Sequence, residues 1–209
     1  MPTPPHSLDE QSLASALTDL AARDADLAAV LAELGPPPLW AREPGFPTLI
    51  HIILEQQVSL ASARAAFERL QAAVHPLTPE SFLLLDDAAL RAIGFSHQKV
   101  GYARHLAIAL VEGRLDLAAL AGLDDDAARA ALVALKGIGP WTADIYLLMA
   151  LRRPDVWPGG DLGLQIGMQL VKGLPRRPTG EETAMIAEAW RPWRTVAARL
   201  LWHHYLNRR

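Results

Sequence analysis

The sequence predicts an all-α protein, and three observations carry that expectation. Ala and Leu dominate the 209 residues, and apolar residues recur at helical spacings, as in Leu8-Leu13-Leu17-Leu20 and Leu49-Ile52-Ile53-Val58. No run of alternating β-branched or aromatic residues is long enough to specify a sheet. Pro and Gly clusters punctuate the periodic segments. About ten helices in two lobes are expected, without a clean linker, and a cleft between lobes is where a site would form.

In chain order, an N-terminal helix pair ends at GPPPLW (35–40), and the next helix begins near Thr48. HPLTPE (75–80) closes a helix and opens another, with Thr78 as N-cap and Pro79 in the first turn. Leu90-Arg-Ala-Ile-Gly-Phe and Leu135-Lys-Gly-Ile-Gly-Pro each place a hydrophobe and a glycine after a short helix, giving two helix–turn–helix corners. GLPRRPTGEE (173–182) is a basic loop, then a cap, then an acidic first turn.

Composition excludes several classes. There is no cysteine, which removes disulfides, thiolate metal sites, Cys-ligated iron–sulfur clusters and any Cys nucleophile, and which fits a reducing cytoplasm. MPTPPHSLDE lacks a basic n-region and an apolar h-region, and no apolar run approaches membrane-spanning length, so neither secretion nor a membrane is expected. The formal charge of −3 argues at first against nucleic acid, but it is unevenly distributed. Residues 1–35 carry six acids and one base, residues 90–114 four bases and one acid, and residues 162–209 eight bases and three acids. Because screening confines potentials to about 10 Å, basic faces can exist on an acidic chain. Solvated arginines on helix surfaces are the plainer alternative.

The most specific stretch is LVALKGIGPWTADIYLLMA (132–150). A short apolar helix stops at Gly137, Ile138 turns inward between two glycines, Pro140 starts the next helix, and Ile145, Leu148 and Met149 form its buried stripe. Glycine amides beside a helix N-terminus suit a phosphodiester, and such contacts set position without reading a base. A plain helix–helix corner is the alternative.

With the following residues, LKGIGPWTADIYLLMALRRPDVWPGGDLGL resembles the helix-hairpin-helix (HhH-GPD) DNA glycosylase superfamily, in particular its alkylbase branch of the 3-methyladenine DNA glycosylase II type. The similarity runs from about Thr48 to Trp202 and is strongest over 135–164. It implies a two-lobed helical fold with the active-site cleft between lobes: residues 38–130 with the hairpin at 132–150 as one lobe, residues 1–37 with 162–209 as the other. It implies phosphate contacts at Gly137, Gly139, Thr142 and Lys136, and a Na⁺ or K⁺ ion on the carbonyls of Val133, Leu135 and Ile138.

Asp161 follows two glycines at a helix start and, on the residues alone, is most simply an N-cap. By resemblance it is the catalytic carboxylate, stabilising positive charge on the sugar as the base departs and orienting the attacking water. Bifunctional members carry a lysine nucleophile two residues after the second hairpin glycine; Trp141 stands there, so a monofunctional hydrolase without lyase activity is expected. In HIILEQQVSLASAR (51–64) the resemblance makes Gln57, with Gln56 beside it, the wedge that fills the gap left by a flipped base. Trp141 and Trp202 match pocket tryptophans, while Ile145 and Leu162 replace aromatic residues, giving a less aromatic pocket. Ser96, Gln98 and Lys99 match a second backbone-contact element. The histidines at 97, 105, 203 and 204 offer no transition-metal spacing and are expected at the surface.

The resulting expectation is a monomeric cytoplasmic enzyme that acts on alkylated bases of damaged double-stranded DNA as the first step of base excision repair, with no cofactor for chemistry and no iron–sulfur cluster. Two alternatives stand beside it: a glycosylase for oxidised or deaminated bases, and a non-catalytic helical DNA-binding module in which Asp161 only caps.

Overall fold

A computed structural model describes residues 7–208, and among them there are twelve α-helices and no strand. They are α1 (Glu10–Arg23), α2 (Ala25–Leu34), α3 (Phe46–Glu55), α4 (Leu60–Ala73), α5 (Pro79–Leu83), α6 (Asp87–Ile93), α7 (His97–Val111), α8 (Asp125–Val133), α9 (Pro140–Met149), α10 (Leu162–Val171), α11 (Gly180–Ala187) and α12 (Arg194–Asn207). The start signals at 75–80 and 173–182 act as expected, Thr78 and Thr179 closing capping boxes with Ser81 and Glu182, and the structure adds Asp9, Asp24, Asp86 and Asp124 as caps of α1, α2, α6 and α8. Two expected boundaries move. The helix expected from Thr48 starts at Phe46 and ends at Glu55, so Val58 lies beyond the apolar stripe and is exposed. The helix expected to run to Gly137 ends at Val133, and residues 134–139 form the corner.

The chain divides into two compact units, one made of the chain up to Ala41 with Leu147 onward, the other of Arg42–Tyr146. The division falls inside α9, and residues 147–161 belong with the chain ends.

In the first unit α12 is the central helix. Residues Thr195–Trp202 are buried on every face, and α10, α2 and α1 pack around them. Gly167 permits the closest approach: a Cβ there would lie 2.6 Å from the Leu201 carbonyl oxygen. Lys172, after α10, places its Nζ 2.7 Å from both Asp24 carboxylate oxygens, and Trp190 Nε1 donates to Asp24 at 2.7 Å, which ties α10 to α2. Arg199 is fully buried; one of its nitrogens donates to Leu148 O at 3.0 Å, and burial pushes its guanidinium down to about 10.

In the second unit α3 takes the central role, buried along nearly all its length, with α4 and α7 against it. Phe82 lies between Phe46 and Phe95 at ring distances of 5.7 and 6.0 Å. Arg42 grips Glu55 with two hydrogen bonds of 3.1 and 2.7 Å. Arg129 on α8 donates to Asp144 on α9 at 2.6 Å, bracing the two helices of the corner against each other.

Candidate functional site

In the first unit the chain leaves Trp157 through Pro158-Gly159-Gly160 and turns into α10 at Asp161, whose amide donates to Pro158 O at 2.9 Å. Asp161 Oδ1 accepts the Leu164 amide at 2.8 Å, the bond of an N-cap, and also the indole N–H of Trp202 at 2.9 Å. Capping and the position expected of a catalytic carboxylate therefore coincide in one residue. Two N–H donors hold it in a single orientation, and it stays partly exposed, whereas Trp202 is buried. The close α10–α12 packing at Gly167 brings that tryptophan within reach. Trp202 thus holds the carboxylate.

One aromatic neighbour escaped the sequence reading. A Cβ placed on Gly163 would lie 3.3 Å from both Asp161 Oδ1 and Tyr205 Cε1, so the Tyr205 ring borders the same turn. The signal was the three-residue spacing from Trp202, which puts both on one side of α12. Leu162, directly after Asp161, is exposed.

The second unit holds the glycine corner. Gly137 has φ 96°, and a Cβ there would fall 2.1 Å from Tyr102 Cγ, so both conformation and space demand glycine. Ile138 is buried and donates to Leu135 O at 3.1 Å; Lys136 and Gly139 are exposed. Trp141, the second residue of α9, is half-buried in this unit. Thr142 departs from expectation. Its side chain is buried and its Oγ1 accepts Gln56 Nε2 at 2.9 Å, so the hydroxyl faces protein rather than a phosphate.

The two glutamines separate. Gln57 is exposed at φ 57°, an uncommon backbone for a side-chain-bearing residue and a kind of strain that collects at functional loops. Val58 and Leu60 beside it are exposed as well, giving Gln57 an apolar flank. Gln56 points inward and donates to both Gly137 O (3.0 Å) and Thr142 Oγ1 (2.9 Å), so it is not a second wedge.

The element at 96–99 also differs from expectation. Ser96 caps α7 by accepting the Lys99 amide at 3.2 Å, and Gln98 donates to the Tyr102 hydroxyl. Lys99 is half-buried, and its Nζ donates to Leu54 O at 2.7 Å, at the carbonyl end of α3 where a cation is favoured. Burial holds its ammonium below the ordinary lysine value. The ammonium is spent on α3 instead of on a phosphate. His204 is likewise not at the surface: it is buried, and neither ring nitrogen has a hydrogen-bond partner among the described residues.

No group of three or more His, Cys, Asp or Glu among the described residues could hold a metal ion. The carbonyls of Val133, Leu135 and Ile138 are a different kind of donor set. Val133 ends α8, Leu135 and Ile138 follow it in the corner, and Leu135 O accepts the Ile138 amide with one lone pair and keeps a second. Carbonyl oxygens are the type of donor that a hard monovalent cation takes.

Among the described residues the protein is thus all-helical, with a Gly-x-Gly corner and an aspartate capping the helix after a Gly/Pro loop. The family model described as "HhH-GPD superfamily base excision DNA repair protein" matches residues 50–192, and the chain belongs to that superfamily. It is 32% identical over 165 residues to DNA-3-methyladenine glycosylase 1 of Schizosaccharomyces pombe, covering 77% of this chain and 72% of that one. The structure of the S. pombe 3-methyladenine DNA glycosylase in complex with abasic DNA superposes with a TM-score of 0.85 at 29% identity, covering 90% of this chain and 95% of that one. A DNA-3-methyladenine glycosidase from Bacillus halodurans superposes with a TM-score of 0.74 at 32% identity, covering 90% and 87%. Among the described residues, no helix is long and apolar enough to cross a membrane.

Proposed function

We propose that this protein is a monofunctional DNA glycosylase that hydrolyses the N-glycosidic bond of alkylated, 3-methyladenine-type bases in double-stranded DNA, working as a monomer in the cytoplasm. The observation that carries the proposal is Asp161, partly exposed, fixed by the Leu164 amide and the Trp202 indole, at the position where the resemblance expects the essential carboxylate.

A base inside a duplex must leave the stack before it can be attacked, and Gln57 on its strained, exposed turn fills the space. The exposed Val58 and Leu60 support this, since apolar side chains lie well against unstacked bases. The amides of Gly137 and Gly139, with Lys136, hold a backbone phosphate, and a Na⁺ or K⁺ ion on the carbonyls of Val133, Leu135 and Ile138 supplies positive charge there when bound. A purine alkylated at N3 or N7 is already cationic and leaves as a neutral base without a separate acid. The anionic Asp161 stabilises the positive charge that builds on the sugar, water adds to C1′ as the C–N bond breaks, and the proton released passes to the carboxylate or to solvent. Trp141 and Trp202 each match a pocket tryptophan of the family, and an indole face suits an electron-poor base. Trp141 stands where a lyase needs an amine, so no Schiff base forms.

The test is release of methylated purines from alkylated duplex by the wild type and by Asp161→Asn, with borohydride added to trap any imine. Release by the wild type alone, with no trapped adduct, is expected. Equal release by both removes Asp161 from catalysis, a trapped adduct removes the monofunctional assignment, and activity only on oxidised or deaminated bases reassigns the substrate. No release on any lesion favours a binding module.

A further inference from the structure

We propose that Gln56 is a positioning residue that couples the phosphate-holding corner to the intercalating turn, so that seating the corner on the DNA backbone sets the register of Gln57. The inference rests on the reading of Gln57 as the intercalating side chain. Three sets of contacts carry it.

First, the Gln56 amide nitrogen spends its hydrogens on two acceptors in different parts of the corner: Gly137 O in the turn at 3.0 Å and Thr142 Oγ1 in the first turn of α9 at 2.9 Å. Second, the corner end of this link cannot yield, because Gly137 lies against the Tyr102 ring with no room for even a Cβ. Third, the helix behind Gln56 is pinned on both sides, by Lys99 Nζ on Leu54 O at 2.7 Å and by the paired Arg42–Glu55 bonds. Between these fixed points only Gln56 and the residue after it remain to be set. That next residue is Gln57, held at φ 57°, so its direction follows from the Gln56 backbone.

The link needs an amide. Glutamate would put a carboxylate against a carbonyl oxygen, and methionine has the length but no donor. Both amide hydrogens of Gln56 are taken by protein acceptors, one of them the buried Thr142, so Gln56 acts through Gln57.

The experiment compares wild type, Gln56→Met, Gln57→Ala, the double variant, Thr142→Val and Thr142→Ser. Each is measured for melting temperature, for affinity to a duplex with an abasic-site analogue, for fluorescence of 2-aminopurine beside a lesion, and for single-turnover excision. Losing two neutral hydrogen bonds that set register should slow the fluorescence rise and excision together about five- to tenfold in Gln56→Met. Thr142→Val should move the same two readouts in the same direction, and Thr142→Ser should restore them. The double variant should be no slower than Gln57→Ala alone, because the two residues act in series. Additive losses, or a Gln56→Met protein with the wild-type fluorescence rise, overturn the inference. If Gln56→Met does not fold, the Thr142 pair carries the test. A wild type that excises lesions while Gln57→Ala changes nothing sinks the intercalation reading instead, so the two failures are distinguishable.

Discussion

On the proposed reading Asp161 does two jobs, and substitution can separate them. As an N-cap it satisfies the Leu164 amide, and as a hydrogen-bond acceptor it satisfies the indole of buried Trp202, both through Oδ1. Asparagine keeps a carbonyl oxygen at that position and ranks with aspartate as a cap, so Asp161→Asn should melt within a few degrees of wild type. Alanine loses the cap, worth about 1 kcal/mol, and leaves a buried indole N–H unpaired, worth about 1–3 kcal/mol more. For a chain of this size those losses lower the melting temperature by about 5–15 °C. The excision rate should follow charge instead of stability: both variants lose the anion facing the developing positive sugar, and each should be slower by at least about a hundredfold. Thermal unfolding and single-turnover release of 7-methylguanine from the same preparations measure the two effects. An asparagine variant that excises within about tenfold of wild type would mean that the carboxylate only caps. An asparagine variant that melts as low as the alanine one would refute the hydrogen-bond argument.

Three further outcomes are expected. Gly137→Ala forces a Cβ into the Tyr102 ring at a left-handed φ, and should cost about 1–3 kcal/mol in thermal unfolding as well as weakening duplex binding; an unchanged affinity would remove the corner from the DNA-holding surface. Burial holds the His204 imidazole below its ordinary value, with Arg208 pushing the same way and Glu33 opposing. The unfolded histidine therefore takes up its proton first, near pH 6.5, and stability present above that pH is lost as the pH falls through the folded value. His204→Phe should flatten the fall in melting temperature between pH 7 and 5, and an equally steep fall in the variant would refute this. Finally, the affinity for DNA should vary gently with salt, with a log–log slope corresponding to about three phosphates or fewer in a titration series; a slope matching ~6–10 phosphates would contradict it.

The helical class was legible because each helix announces itself locally. The Ala/Leu periodicity, the Asp and Thr caps and the Pro and Gly stops are chemical necessities of single helices, so a sequence displays them. Asp161 was legible for the same reason twice over, since the glycines before it and the helix after it mark a cap whatever else it does. What could not be read was where long polar side chains end. Lys99 beside a hairpin-like helix start looks like a phosphate ligand, yet its ammonium reaches back to a carbonyl of α3, a residue 45 positions away in sequence. The resemblance turns Thr142 and Gln56 toward DNA, yet the two bond to each other across 86 positions. His204 failed through the opposite error: a pair of histidines looks solvated until α12 proves central and buried on every face.

The charge pattern makes the same point on a larger scale, and it bears on how an acidic protein holds a polyanion. The basic segments look like DNA-facing surfaces when counted along the chain, but their cations are largely occupied at home. In the first unit Lys172 serves Asp24 and Asp26, Arg176 serves Glu182, and Arg191 and Arg194 share Asp155 and Glu188. In the second, Arg104 pairs with Asp87, Arg114 with Glu112, and Lys99 with a carbonyl. A cation paired with a carboxylate contributes little field at a distance, because its partner cancels it within a few ångströms, while Lys99 on a neutral carbonyl keeps its charge but not its reach. Affinity then has to come from short-range donors held in fixed places, and the glycine corner, braced by Tyr102 and by the Arg129–Asp144 bond, is built to hold amides still. On the proposed reading the same bracing reaches Gln57 through the Gln56 hydrogen bonds. Rigid amides that position a backbone, more than a positive surface that attracts one, are what a chain of net charge −3 can offer to DNA.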